Sequence, residues 1–105
     1  MVSEMKLTDE VIDSLSGREL DEAVCLSLGW KPLFGEPDTR FNNNLGAAMG
    51  LLLNDSSFWV EISISNEPAW IEITDKWTGN VLACGDKANS ALHCCRAFLK
   101  LTNRS

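Results

Sequence analysis

Residues 58–84, with the sequence FWVEISISNEPAWIEITDKWTGNVLAC, decide the fold. Apolar side chains occupy every second position from residue 58 to 65 and again from 69 to 75, which is the period of a strand that buries one face. The Asn-Glu-Pro sequence at 66–68 separates these two runs, and a second turn leads to a third short run at 81–84. The pattern predicts a three-stranded antiparallel β-meander.

The charges on one face of this meander indicate how the first two strands pair. One register places Glu61 opposite Thr74 and Trp59 opposite Lys76. A shifted register would place Glu61 opposite Glu72, and like charges directly opposite each other destabilise a sheet. We therefore expect the first register, with the two glutamates on an exposed and paired face.

Two helices are predicted before the meander by apolar residues three or four positions apart. The first covers residues 8–15 and begins at Thr8, whose hydroxyl suits a helix N-terminus. The second covers about residues 17–28, and Ser16 followed by Glu19 has the spacing of a capping box.

Two further helices flank the strands. Gly29 is expected to end the preceding helix, and residues 31–41 are predicted to be a loop because prolines and a glycine interrupt every period there. Asparagines at 42–44 can cap a helix that ends near residue 53, and the last helix is predicted over residues 88–101. The order α-α-(α)-β-β-β-α places the chain in the α+β class.

Length and composition predict a single domain over residues 1–105, with a loose N-terminus at 1–7. The chain is 45% hydrophobic and 23% charged, which is too apolar for a disordered protein. No apolar run approaches the length of a membrane span. The first ten residues carry acids where a signal peptide needs a basic and then an apolar segment, so we expect a cytosolic protein without membrane association.

The charge balance argues against general nucleic-acid binding. Nine basic and fifteen acidic side chains give a net charge of −6, and such a chain repels a phosphate backbone. The cations are concentrated near the C-terminal end, where residues 81–105 hold four basic side chains and one acidic one.

The four cysteines are Cys25, Cys84, Cys94 and Cys95. Free thiols are the rule in a reducing cytosol, and the spacing of the cysteines and the single histidine matches no zinc site. We expect four buried structural cysteines, no metal and no cofactor. A Cys84–His93 pair across the sheet–helix packing is the less favoured alternative.

Three segments of the sequence carry a family resemblance. Gly-Arg-Glu-Leu-Asp at 17–21 opens the second helix, Gly-Trp at 29–30 closes it, and Ala-Leu-His-Cys-Cys-Arg-Ala-Phe-Leu at 91–99 lies in the last helix. With the tryptophan-bearing hairpin between them, these segments resemble the phage ABA sandwich domain family, small proteins of bacteriophages and prophages. The resemblance covers residues 16–101, and residues 42–53 depart from the more polar helix that the family has there.

The resemblance implies an α-β-α sandwich and a phage or prophage protein that works in the host cytoplasm. The family has no general catalytic residues to carry over. The expected fold is therefore α+β, with the three-stranded meander packed between or against helices in layers.

Tryptophans form the first candidate site. Trp59 and Trp70 lie on the face of the meander that alternation marks as polar. If helices cover both faces of the sheet, both faces need bulky residues and the tryptophans are structural. If this face is open, exposed aromatic side chains beside polar groups suit a ligand or a partner protein.

The last helix provides the second candidate site. Asn89, His93, Arg96 and Lys100 follow one another along the side opposite its apolar stripe. This ridge can be a solvated face whose cations favour the helix C-terminus. It can also bind an anion, with Arg96 as a bidentate donor and His93 or a tryptophan stacking on the ligand.

These features predict a non-enzymatic binding protein. The preferred hypothesis is antagonism of a host process, such as antiviral immunity, by sequestering a small nucleotide-like anion or by blocking a host protein. The alternative is a structural or interaction module that dimerises through the aromatic sheet face. An enzyme with a nucleophilic cysteine comes last, because nothing marks a base beside a thiol.

Overall fold

The computed structural model describes residues 8–28, 41 and 44–103. Four helices and three strands follow one another along these residues, in the predicted order. They are α1 (Asp9–Ser14), α2 (Gly17–Ser27), α3 (Leu45–Leu53), β1 (Val60–Asn66), β2 (Ala69–Asp75), β3 (Val81–Asp86) and α4 (Ser90–Thr102), with one 3₁₀ turn at Lys87–Asn89. The α+β class is confirmed, with helices packing on a three-stranded antiparallel sheet.

The sheet has the order β1-β2-β3 with antiparallel neighbours. Glu61 lies opposite Thr74, and Ser63 rather than Glu61 lies opposite Glu72. The backbone N–H of Lys76 donates to the carbonyl of Trp59 at 2.8 Å. The predicted register is therefore confirmed.

One face of the sheet, the inner face, packs on α4. Ile71 and Ile73 of β2 are fully buried there, and Leu82 and Ala83 of β3 are buried beside them. α4 contacts both β2 and β3. The intervening side chains of β2, among them Trp70, point to the other face, as the period of two requires.

α4 is the central element of the described structure. It contacts α1, α2 and α3 as well as the sheet. Most of its side chains are buried, and the ring edge of Phe98 meets Phe58 with centroids 6.2 Å apart. A helix with packing partners on more than one side cannot keep a broad solvated face, which matters for the candidate site below.

The helix N-termini test the predicted caps. The Oγ1 of Thr8 accepts from the N–H of Val11 at 3.3 Å, and the Oδ1 of Asn44 accepts from Ala47 at 3.1 Å, so these two caps are confirmed. The capping box at Ser16 is wrong, since its side chain makes no cap hydrogen bond. Gly17, the residue directly after Ser16, has φ +56°. This left-handed backbone conformation differs from the helical conformation that follows the N-cap in a capping box.

Several predictions concern residues that the structure does not describe. The helix stop at Gly29, the loop at 31–40, Trp30 and the N-terminal segment 1–7 lie outside the described residues. Phe41 is described and is buried in the core at 4% exposure. Among the described helices, none has the length and apolarity that crossing a membrane requires.

Candidate functional site

The second face of the sheet, which we call the outer face, is open among the described residues. Among the α-helices, α4 makes the main contacts with the strands and packs on the inner face, while Trp59 and Trp70 are 51% and 42% exposed. The described residues thus do not form the two-sided coverage that would make both tryptophans structural. The outer face carries Trp59, Glu61, Ser63, Ser65, Trp70, Glu72, Thr74 and Cys84.

A third tryptophan joins one end of the outer face. The ring of Trp77, in the turn after β2, meets Trp59 edge to face with centroids 5.0 Å apart, and Trp77 is 68% exposed. The sequence placed Trp77 in a turn and gave no sign of this pairing, which depends on the strand register. Trp70 lies at the opposite end of β2, about 20 Å away at 3.3 Å per residue. Trp59 and Trp70 therefore cannot clamp one aromatic ligand between them.

The outer face is acidic. Glu61 pairs with Lys76 at 3.7 Å, and both side chains are largely exposed, so the pair contributes little to stability. Glu72 lies further along the same face, beside Ser63 and Cys84. Aromatic rings and carboxylates thus share this surface.

Three of the predicted site residues come together elsewhere. His93, Arg96 and Lys100 line a pocket of about 290 Å³ between α1, β3 and α4, which we call the α1–β3–α4 pocket. Asp13 of α1 lies at the same pocket. The five predicted site residues therefore form two groups on different sides of the sheet, with the tryptophans on the outer face and the ridge of α4 on the inner side.

The ridge of α4 is not the solvated face that the helical pattern allowed. Arg96 is half-buried and donates from Nε at 3.3 Å and from Nη2 at 2.9 Å to the backbone carbonyl of Leu15, which ends α1. Lys100 donates from Nζ to the carbonyl of Leu82 at 2.6 Å and pairs with Asp13 at 2.9 Å. Because α1 and β3 cover this side of α4, both cations are attached to neighbouring elements.

His93 is the most buried member of the ridge, at 8% exposure. Its ring packs against the backbone of Gly85, which takes the inner-face position of β3 there. Burial lowers the pKa of His93, and the positive charge of Arg96 lowers it further, while Asp13 and Asp86 oppose these effects. The lowered pKa favours the neutral form of the imidazole.

The cysteines follow the prediction in three cases of four. Cys25, Cys94 and Cys95 are buried and free, and burial raises the pKa of each thiol, that of Cys94 to about 11. The prediction is wrong for Cys84, which is exposed. Strand alternation directs the side chain of Cys84 to the outer face and places Gly85 at the position facing His93. The buried imidazole leaves no room for a side chain at position 85.

Among the described residues, no hydrogen bond joins a cysteine thiol to the imidazole of His93. Cys84 lies opposite Glu72, so strand alternation directs its side chain toward the outer face, yet Cys84 also lines the α1–β3–α4 pocket with His93. The other three thiols are buried with raised pKa values. Within residues 8–28, 41 and 44–103, no group of three His, Cys, Asp or Glu side chains is placed to hold a metal ion.

A larger pocket of about 690 Å³ lies beside α3. Gly46 and Gly50 lie on its wall, together with Leu28, Phe41 and Phe98. The feature of the sequence that could have indicated this pocket is the spacing of Gly46 and Gly50, four residues apart, which leaves one strip of α3 without side chains.

Comparison with known proteins identified no relative of this chain. No family model, no curated protein and no solved structure matches the chain.

Proposed function

We propose that the protein is a non-enzymatic binding protein that blocks another protein by engaging a basic surface of it through the outer face of the sheet. The observation that supports this most directly is the exposure of Trp59, Trp70 and Trp77 beside carboxylates on an open sheet face. Tryptophan is one of the residues enriched among those that dominate binding energy at protein interfaces.

The charges favour a different protein over a second copy as the partner. Glu61 and Glu72 face outward, Lys76 balances only the first of them, and the whole chain carries −6. Two such faces brought together would repel each other, whereas a basic partner surface would be attracted and steered into contact. Homodimerisation through the outer face, the alternative, has to overcome this repulsion.

In the setting that the family resemblance implies, the partner is a host protein in the host cytoplasm and the effect is counter-defence. The resemblance supports a phage or prophage origin and, through it, the antagonism of a host process such as antiviral immunity.

The geometry gives less support to nucleotide capture by tryptophans and the α4 ridge together. Trp59 and Trp70 lie on the outer face, while His93, Arg96 and Lys100 lie on the inner side. One small molecule cannot contact both groups. If an anion binds the ridge, it does so without tryptophan stacking.

Site-specific crosslinking tests the proposed surface. A photoreactive residue at Ser65, which lies opposite Trp70 on the outer face, is expected to crosslink a host protein in infected cells. The same residue at Leu26, which is 65% exposed on α2, is the matched control. The identified protein, once purified, should bind with an association rate that falls with salt, and Trp59→Ala and Trp70→Ala should weaken binding while Leu26→Ala does not. Equal crosslinking from both positions would contradict the proposal.

Sedimentation measures the alternative directly. A stable dimer that Trp70→Ala dissociates and Leu26→Ala leaves intact would favour the self-associating module. A monomer that retains tight binding to the purified partner supports the proposal.

A further inference from the structure

We infer that the α1–β3–α4 pocket binds a small oxyanion, either free phosphate or the phosphate end of a larger molecule, through His93, Arg96 and Lys100. This site is separate from the outer face and does not depend on the proposed function. Three observations carry the inference: an unsatisfied buried imidazole, a local excess of positive charge, and a space of suitable size.

The imidazole of His93 is the first observation. It is 92% buried, yet neither ring nitrogen has a hydrogen-bond partner among the described residues. Buried side-chain polar atoms in proteins are in the large majority hydrogen-bonded. A neutral imidazole offers one N–H donor and one acceptor nitrogen. Because Nε2 packs against Gly85, Nδ1 is the nitrogen that would donate to an oxyanion in the pocket.

The charge of the pocket is the second observation. Among the residues that line the pocket, Arg96 and Lys100 face one carboxylate, that of Asp13, so the lining is positive in a chain of net charge −6. Asp86 acts on His93 from outside this lining. Arg96 uses only Nε and Nη2 on the carbonyl of Leu15, which leaves its Nη1 without a partner among the described residues. A phosphate oxygen is the acceptor that such a guanidinium group prefers.

Asp13 gives the pocket an internal occupant that a ligand can displace. Its carboxylate lies 2.9 Å from the Nζ of Lys100 but is 53% exposed, whereas the lysine side chain is only 10% exposed. The lysine is also held by its bond to the carbonyl of Leu82, whereas the carboxylate of Asp13 has no second hydrogen-bond partner among the described residues. An external oxyanion would take the position that the carboxylate now has.

The size of the pocket limits the ligand. A volume of about 290 Å³ is roughly that of ten water molecules at about 30 Å³ each. It lies at the lower end of the range for small-molecule sites. A tetrahedral oxyanion with some hydration fits inside, and the rest of a larger molecule would extend into solvent.

The single histidine of the chain makes a direct test possible. The imidazole proton resonance of His93 is followed by NMR while inorganic phosphate is added at constant ionic strength. We expect a saturable shift and a titration midpoint that rises with bound phosphate, since an anion favours the imidazolium form. The other charged groups that face His93 are Arg96 and Lys100 on α4, Asp13 on α1 and Asp86 at the end of β3.

Four variants distinguish a phosphate site from a structural cluster. Lys100→Gln and Arg96→Gln should weaken phosphate binding about tenfold or more, as the loss of a charged hydrogen bond implies. Asp13→Asn removes the competing carboxylate and should strengthen binding several-fold, which no purely structural role explains. Lys76→Gln, a charge change on the outer face, is the control and should leave the affinity unchanged.

The outcomes are distinct. A His93 resonance that phosphate leaves unmoved at tens of millimolar, or that chloride shifts equally, would overturn the inference, as would an Asp13→Asn variant that binds no more tightly than the parent. Adenosine monophosphate at the same ionic strength separates the two sources of the anion. If adenosine monophosphate binds more tightly than inorganic phosphate, the ligand is the phosphate end of a nucleotide. If it binds equally or more weakly, the ligand is the free ion.

Discussion

The imidazole of His93 lies against the α-carbon of Gly85, so that the last helix approaches the sheet edge where the strand has no side chain. A Cβ added to Gly85 would be 2.6 Å from Cε1 of His93 and closer still to Nε2. Neither the φ angle nor a turn requires glycine at this position. Glycine is required because the buried imidazole ring of His93 approaches the backbone too closely for a side chain.

Gly85→Ala is expected to destabilise the protein by about 1–3 kcal/mol, because the added methyl group overpacks a site whose ring is buried. Urea unfolding measures the change. Gly46→Ala is the matched control: its Cβ would meet only Asn44 at 3.5 Å, and the helix gains about 0.5–1 kcal/mol. In the His93→Ala background the cost of Gly85→Ala should largely disappear, and a full cost there would show that the ring is not the cause.

Arg96→Ala should lower the free energy of unfolding by about 1–3 kcal/mol, because the carbonyl of Leu15 loses two donors from a charged group. Arg96→Lys should recover part of this loss, since the lysine ammonium can reach the carbonyl of Leu15 but cannot donate two parallel hydrogen bonds to it as the guanidinium does. Chemical denaturation of both variants makes the comparison. Losses under about 0.5 kcal/mol would mean that the contact behaves like an exposed surface pair.

Stability should depend on pH through His93. Burial and Arg96 hold its folded-state pKa below the ordinary value of 6.5, so the unfolded chain takes up a proton first as the pH falls. The contribution of the neutral His93 to the free energy of unfolding is therefore fully present above about pH 6.5. It is lost as the pH drops toward the folded-state pKa of His93. Unfolding by urea at about pH 7.5 and about pH 5.5 should show a decrease that is smaller in His93→Gln, and an identical decrease in the variant would assign it to carboxylates instead.

Thiol labelling should modify one cysteine quickly and three slowly. Cys84 is exposed on the outer face, while Cys25, Cys94 and Cys95 are buried and have raised pKa values. A disulfide reagent under native conditions, read by mass spectrometry, should add one label, and Cys84→Ser should add none on the same timescale. Fast labelling of a second site would indicate a reactive thiol that the packing does not explain.

Trp59 and Trp77 should be energetically coupled. Their edge-to-face contact at 5.0 Å predicts a coupling of about 0.5 kcal/mol, the low end for aromatic pairs, because both rings are exposed. A double-mutant cycle with Trp59→Ala and Trp77→Ala measures it. The same cycle between Trp70 and Trp77 should give no coupling, since these rings lie at opposite ends of the sheet.

The elements of the fold were predictable because their signals are local. Alternation along residues 58–75 sets the first two strands, and Thr8 and Asn44 cap their helices with their own side chains. The register of β1 and β2 also followed from the sequence, since only one pairing keeps Glu61 away from Glu72.

The surroundings of the α4 ridge were not predictable from the same pattern. The partners of Arg96 and Lys100 are backbone carbonyls at Leu15 and Leu82, and any residue type has a carbonyl. Nothing in the composition of those positions marks them as acceptors. The exposure of the tryptophans was likewise undetermined, because a Trp on a polar face fits both a covered and an open sheet.

The central place of α4 also has a consequence for synthesis. Among the described elements it is made last, yet α1, α2, α3 and the sheet contact one another mainly through it. A nascent chain that has emerged only as far as Asp86 holds helices and strands without the element that joins them. Ser90–Thr102 must therefore emerge from the ribosome before the described elements can pack into one domain.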